Sequence, residues 1–265
     1  MTTSYQPSGL IGMVHLEALP GTPQCKHPPK RIIERAVEDA LVLAEAGFDA
    51  ILVENMLDAP YMLREVGPEI IATMTAATNA IAQIVDIPVG VQVLAGANQA
   101  AIAIAHAAGG RFIRAEGFAY AAVADEGIMA EADAGPLLRH RRAIGADHIA
   151  ILADVRKKHS AHALTGDLTL GQLVAGNAFC GADAVIVTGH ATGEAVATAD
   201  LDEARRASDL PVVVGSGATP DDLPKLLDRA DAVIVGSWIK VDGNWRNPVD
   251  SQRANAFARN RQANE

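Results

Sequence analysis

Pro211-Val212-Val213-Val214-Gly215-Ser216-Gly217-Ala218 and Ala232-Val233-Ile234-Val235-Gly236-Ser237-Trp238 occupy consecutive segments near the end of a 265-residue chain. In each, an apolar run leads straight into a small-residue turn. Such a run predicts a strand covered on both faces, as in a parallel sheet. The glycine that follows lets the backbone approach a ligand closely, because no Cβ intervenes. Successive N–H groups in such a turn form an anion-binding concavity. Two of these turns after the last two strands of an alternating β/α chain predict a (β/α)8 barrel, a TIM barrel, with phosphate-type loops after strands seven and eight.

Working outward, eight apolar strands are predicted at 10–16, 49–55, 88–94, 112–118, 148–155, 184–189, 211–216 and 232–237. Helical patterns separate them. Residues 31–46 repeat apolar side chains at steps of three and four (Ile32, Ile33, Ala36, Val37, Ala40, Leu41, Ala44). Further helices are expected at 68–85, 97–108 and 248–261. Another is expected over 127–144, although Pro136 should start or kink it. Thr169-Leu170-Gly171-Gln172 has the form of a capping box, and Thr219-Pro220 supplies an N-cap and an N1 proline. A punctuation also recurs: Gly47-Phe48-Asp49, Gly145-Ala146-Asp147, Gly181-Ala182-Asp183 and Ala230-Asp231 each precede a strand. It reads as a helix C-terminus followed by a short αβ turn.

The length suits one barrel over residues 1–265, with 1–9 as an irregular N-terminal segment. A hydrophobic fraction of 49% supplies a large core, built from Ala, Val, Ile and Leu because aromatics make up only 4%. The net charge of −10 argues against a broad nucleic-acid surface, but not against a small phosphorylated ligand. Cys25 and Cys180 are the only cysteines and suggest reduced thiols in a cytoplasmic protein. No signal peptide and no membrane-spanning apolar run is expected. Homo-oligomerisation stays open.

Barrel chemistry collects at the C-terminal strand ends. Glu54 and Asp154 end apolar runs there and are the acid/base candidates, with His15 after the first strand as the third catalytic candidate. The competing reading of both carboxylates is a structural ion pair with Arg114 or Lys158. Asn55, Gln92, Arg114, Glu116, Lys158, His159, Thr188, His190, Thr192 and Gly193 are the substrate-binding candidates. Gly215, Ser216, Gly217, Gly236 and Ser237 are assigned to a phosphate. Lys240 reads as a solvated surface lysine or a phosphate contact. A divalent metal at His15, Glu54 and Asp154, with His159 and His190, is a weaker alternative, because no close-spaced ligand motif occurs. Lys157 and Lys158 read as loop residues, which disfavours a Schiff-base lysine on a strand inside a dry pocket.

The chain resembles the BtpA/SgcQ family. The resemblance rests on Gly12-Met13-Val14-His15-Leu16, Leu19-Pro20-Gly21-Thr22-Pro23, Val53-Glu54-Asn55, Asp58-Ala59-Pro60, Phe112-Ile113-Arg114, Ala153-Asp154-Val155, Lys158-His159, Ala191-Thr192-Gly193 and Asn247-Pro248-Val249-Asp250. It implies a TIM barrel. It also implies either a photosystem I biogenesis or stability role, or a nucleosidase-like activity. Gln92, Glu116 and His190 depart from the family's usual residues, all at the expected mouth. The resulting expectation is an enzyme of a small phosphorylated sugar, ribosyl or nucleoside compound. Glycosidic hydrolysis, or sugar-phosphate isomerase or lyase chemistry, would suit these residues. A non-catalytic biogenesis factor and a metal-dependent hydrolase are the alternatives.

Overall fold

The computed structural model describes residues 5–189 and 196–262. In chain order the elements are β1 (Gly9–His15), α1 (Pro29–Glu45), β2 (Ala50–Glu54), α2 (Pro68–Ala82), β3 (Val89–Gln92), α3 (Asn98–Ala108) and β4 (Phe112–Ala115). There follow β5 (Ala122–Ala124), β6 (Gly127–Met129), α4 (Ala134–Ala143), β7 (Ala150–Asp154), β8 (Ser160–Ala161) and α5 (Leu170–Phe179). The chain continues through β9 (Ala184–Val187), α6 (Thr198–Ala207), β10 (Val212–Val214), α7 (Leu223–Leu227), β11 (Ala232–Val235) and α8 (Ser251–Arg259). Strands β1, β2, β3, β4, β7, β9, β10 and β11 close into a parallel barrel, with β11 pairing back onto β1 (Gly9 opposite Ala232, Gly12 opposite Val235). The fold is the (β/α)8 barrel that the sequence predicts.

Side-chain alternation along each strand decides what enters the barrel. Leu10 and Val14 face the helix layer, whereas Ile11 and Met13 fill the interior. The inner layers are completed by Ala50, Leu52, Phe112, Ala150, Leu152, Ala184, Ile186, Val213, Ala232 and Ile234. The Phe112 ring occupies the place where a side chain at position 90 would stand: a Cβ built on Gly90 would come within 2.2 Å of it. Tyr5 stacks on Phe112 with ring centroids 4.4 Å apart. Carried one step further, the same alternation sets His15, Glu54, Gln92, Arg114, Asp154, Thr188, Gly215 and Gly236 on the inner face at the C-terminal end. Polar residues occupy the first five barrel strands there, and small residues the last three.

Three of the four recurring aspartates have a specific role, while Asp147 pairs with Arg142. Asp49 accepts the N–H of Leu10, Asp183 that of Ile151 and Asp231 that of Val212, at 2.6, 2.8 and 2.8 Å. Each thereby satisfies a donor at or near the start of the neighbouring strand. Gly47, Gly145 and Gly181, two residues before Asp49, Asp147 and Asp183, have φ of 87°, 73° and 89°, the left-handed conformation of a helix C-terminus. Thr169 and Gln172 form the expected capping box.

Two expected helices differ. Residues 127–129 form a strand, and the helix begins only at Ala134. Pro136 is tolerated within a first helical turn but not in a helix interior. The freed segment makes an antiparallel ribbon, β5 with β6, that also pairs with β8. Arg64 holds this excursion, donating to the carbonyls of Gly96, Glu116, Gly117 and Glu131. After β10, Thr219 bonds to Asp222 and holds a turn, so α7 starts at Leu223.

Candidate active site

A cavity of about 520 Å³ opens at the C-terminal end of the barrel. Its wall contains His15, Glu54, Gln92, Arg114, Glu116, Lys158, His159, Gly215, Ser216, Gly217, Gly236 and Ser237. One side is ionisable and the other is made of small residues, as the inner-face alternation requires.

On the ionisable side, His15 and Glu54 end the adjacent strands β1 and β2, and their registers match. His15 Nδ1 lies 2.8 Å from the carbonyl of Trp245 and must therefore donate to it. This leaves Nε2 facing Glu54 Oε2 at 3.6 Å. Burial pushes the His15 imidazole down to about 3, assisted by the positive charge of Lys240, so it is neutral at physiological pH. Burial also raises Glu54 above the usual carboxylate range, against the opposing pull of Arg114 and Lys158. The neutral imidazole nitrogen can accept a hydrogen bond from the protonated form of Glu54, and the upward shift favours that form, which suits Glu54 to donate a proton.

Arg114 and Asp154 form a bidentate pair, Nε and Nη2 donating to the two carboxylate oxygens at 3.0 Å each. Arg114 reaches the cavity wall, and Asp154 stands behind it. Glu116 accepts the N–H of Gly96 at 2.9 Å and lies 3.9 Å from Lys157, whose Nζ is held by Glu126 at 2.8 Å. Burial raises Glu116 to about 7, with Lys157 opposing. The folded chain therefore retains a proton that the unfolded chain, with a carboxyl near 4.5, releases. This favours folding below pH 4.5, and the advantage is lost as pH rises through about 7. Glu116→Gln, uncharged throughout, is expected to match the wild type in stability near pH 4.5. Above pH 7 it should be more stable by up to about 3 kcal/mol. Melting curves at pH 5 and pH 8 check this; parallel pH dependence of the two proteins would refute it.

On the opposite side, the Gly215 N–H makes a last ladder bond to Val187, at 2.8 Å, before the chain leaves the sheet. A Cβ at Gly215 would meet the Thr188 methyl at 2.3 Å, so only glycine fits there. Gly217 turns the chain with φ of 74°. Between them the Ser216 hydroxyl is buried and has no hydrogen-bond partner among the described residues. Such a group needs one, since burying an unpaired hydroxyl is costly. Gly236 and Ser237 complete this wall, and a tight 3₁₀ turn runs over Ser237–Ile239.

Other candidates lie elsewhere. Asn55 faces a second, smaller cavity and ties Asp58 and both polar groups of Leu94. Thr188 donates to the Arg156 carbonyl at 3.0 Å. His190, Thr192 and Gly193 lie outside the described residues. Lys240 is neither a surface lysine nor a cavity residue: it is 0% exposed and paired with Asp39. Among the described residues no three His, Cys, Asp or Glu side chains are placed to hold a metal ion. Both Asp154 oxygens are engaged by Arg114, so His15, Glu54 and Asp154 do not form a ligand set. Sequence reading missed Tyr61, Asp125, Glu126, Trp245, Arg246 and Arg253, which also line the cavity. They arrive from loops, the β5–β6 ribbon and α8, and no local pattern announces such a return.

The fold is shared with enzymes of other families. The chain is similar to phosphoribosyl anthranilate isomerase from Thermus thermophilus, with a TM-score of 0.58, 15% identity and coverage of 95% of this chain and 97% of that one. It is also similar to orotidine 5′-monophosphate decarboxylase from Methanocaldococcus jannaschii, with a TM-score of 0.60, 14% identity and coverage of 97% and 100%. At these identities the likeness concerns the fold. Closer relatives include an uncharacterised mitochondrial protein of Caenorhabditis elegans, 40% identical over 94% of this chain and 91% of its own. Another is the photosystem I biogenesis protein BtpA of Synechocystis, 38% identical over 94% and 86%. With the profile of the BtpA family matching residues 6–263, the chain belongs to that family.

Proposed function

We propose that the protein is an enzyme of a small phosphorylated sugar or ribosyl compound. The observation that carries this reading is the buried Ser216 hydroxyl beside Gly217, without a partner among the described residues, set across the cavity from Glu54, whose carboxyl burial raises above the usual range. Ser216, Gly217, Gly236 and Ser237 hold the phosphate, and the ionisable wall faces the sugar. Glu54 acts as acid, and Glu116, raised to about 7, serves as base in the neutral range. Glycosidic cleavage uses two carboxylates in this way; isomerase and lyase chemistry use the same acid–base pair. The Synechocystis relative's name favours a second reading, a biogenesis factor. A barrel can host either role. Among the described residues no helix is long and apolar enough to cross a membrane.

Ligand-dependent melting separates the two readings. Inorganic phosphate and ribose 5-phosphate are expected to stabilise the wild type. At about a hundredfold excess over Kd the gain is about 2.7 kcal/mol, or roughly 5–10 °C in Tm. Gly217→Asp, which places a carboxylate in the turn, should abolish the response, and Ser216→Ala should reduce it. Glu54→Gln should retain it. Absence of any response in the wild type would refute the phosphate site.

A further inference from the structure

We propose that Lys158 is a nucleophilic amine that forms an imine with the open-chain carbonyl of a phosphorylated aldose or ketose. The proposal deepens the phosphorylated-sugar reading and selects carbonyl chemistry within it. Its basis is the position of the side chain. Lys158 follows the end of β7 by four residues, yet its side chain lines the cavity and is only partly exposed. Lys158 is a loop residue, as its sequence position suggests, but the loop turns it into the cavity, which removes the objection that a loop lysine stands outside the pocket.

The other lysines of this region are committed. Lys157 is held by Glu126 and Lys240 by Asp39. Lys158 Nζ has only a 3.5 Å approach to the Gly215 carbonyl, and no carboxylate of the described residues lies within ion-pair distance. Arg114 and Asp154 satisfy each other through two bonds, which leaves the amine uncommitted at the junction of the two walls. From there it reaches a sugar whose phosphate sits on the Gly215–Gly217 turn. Burial, followed by the positive charge of Arg114, lowers its ammonium to about 8, against Asp154, Glu54 and Glu116. The neutral amine is then well populated in mildly alkaline solution.

The step balances with groups already in the cavity. The neutral Nζ adds to the carbonyl carbon, forming a C–N bond while the C=O π pair moves to oxygen. That oxygen takes the Glu54 proton, and the resulting carboxylate recovers one from the nitrogen. The same carboxyl then protonates the hydroxyl, which leaves as water while the nitrogen lone pair forms C=N. The net products are an iminium, one water and the Glu54 carboxylate. The iminium is an electron sink for proton abstraction or carbon–carbon cleavage at the adjacent carbon.

Borohydride trapping tests this on the full chain. Dihydroxyacetone phosphate or ribose 5-phosphate plus borohydride at pH 8 should add the mass of the sugar phosphate less one oxygen atom. Peptide mapping should place the adduct on Lys158, and inorganic phosphate should suppress it. Lys158→Met and Lys158→Arg, each shown by melting to be folded, should lose at least about tenfold of the adduct. Labelling spread over exposed lysines such as Lys30, an adduct that persists in both variants, or no adduct at all would overturn the proposal. The phosphate-dependent melting shift is read separately. A shift without an adduct leaves the phosphorylated-sugar function standing and removes the imine. An adduct on Lys158 without a shift supports the imine and removes the phosphate site.

Discussion

Asp154→Ala is expected to melt roughly 10 °C below the wild type. Asp154 and Arg114 are 1% and 8% exposed at their side chains, and each satisfies the other through two 3.0 Å bonds. Removing the carboxylate leaves a guanidinium inside the barrel mouth with its desolvation uncompensated. Breaking such a buried pair typically costs about 3–5 kcal/mol. For a chain of this size each kcal/mol corresponds to about 2–4 °C. Glu54 and Glu116 both lie within electrostatic reach of Arg114 and offset part of the loss. Replacing both partners by apolar residues, Arg114→Met with Asp154→Leu, removes the stranded charge and should recover much of the stability. Thermal unfolding of the three proteins decides. A single variant within about 2 °C of the wild type would show that the pair is not a stability element.

The second large effect is catalytic. Glu54→Gln should lower kcat on a phosphorylated sugar or ribosyl substrate by about 10²–10⁴-fold while leaving phosphate affinity nearly intact. Glutamine preserves the shape of the side chain but cannot deliver an acidic proton toward the sugar. Because burial raises Glu54, the acid form persists above the usual carboxylate range, and wild-type activity should decline only as pH rises through that raised value. His15 sharpens the test. Its Nδ1 is committed to Trp245, so only Nε2 can exchange a proton with Glu54. His15→Phe removes that nitrogen and should shift the pH limb rather than abolish turnover. Equal activity of Glu54→Gln and wild type would exclude Glu54 as the acid.

The barrel was legible because its information is local and repeated. Each strand is an apolar run, helices show a three-to-four spacing, and three αβ turns pair a glycine with an aspartate. The aspartate's purpose was not legible, since its partner is a backbone N–H on another strand, 39 residues away for Asp49. The candidate site was half legible. Glu54, Gln92 and Arg114 stand at strand ends, and alternation alone turns them inward. The sequence marks Lys158 as a loop residue and a substrate-binding candidate, without showing that its amine lacks a carboxylate partner, and Lys240 as a surface residue or phosphate contact. Each depends on how a segment outside the strands folds back. Pro136 displaced a helix start and released the ribbon that brings Glu126 to Lys157, a contact between residues that no period relates.

By itself, the sequence determined the eight-stranded barrel, the end at which polar side chains gather, and the glycine turns at 215–217 and 236–237. Hydrophobic periodicity and backbone permissiveness act over a few residues and can be read along the chain. Only the tertiary structure decided which charges are paired and which remain available. Arg114 is spent on Asp154 and Lys240 on Asp39, whereas burial raises the Glu54 carboxyl and Lys158 has no carboxylate partner among the described residues. Protonation and reactivity depend on burial and on neighbours from distant strands, which exist only once the barrel has closed.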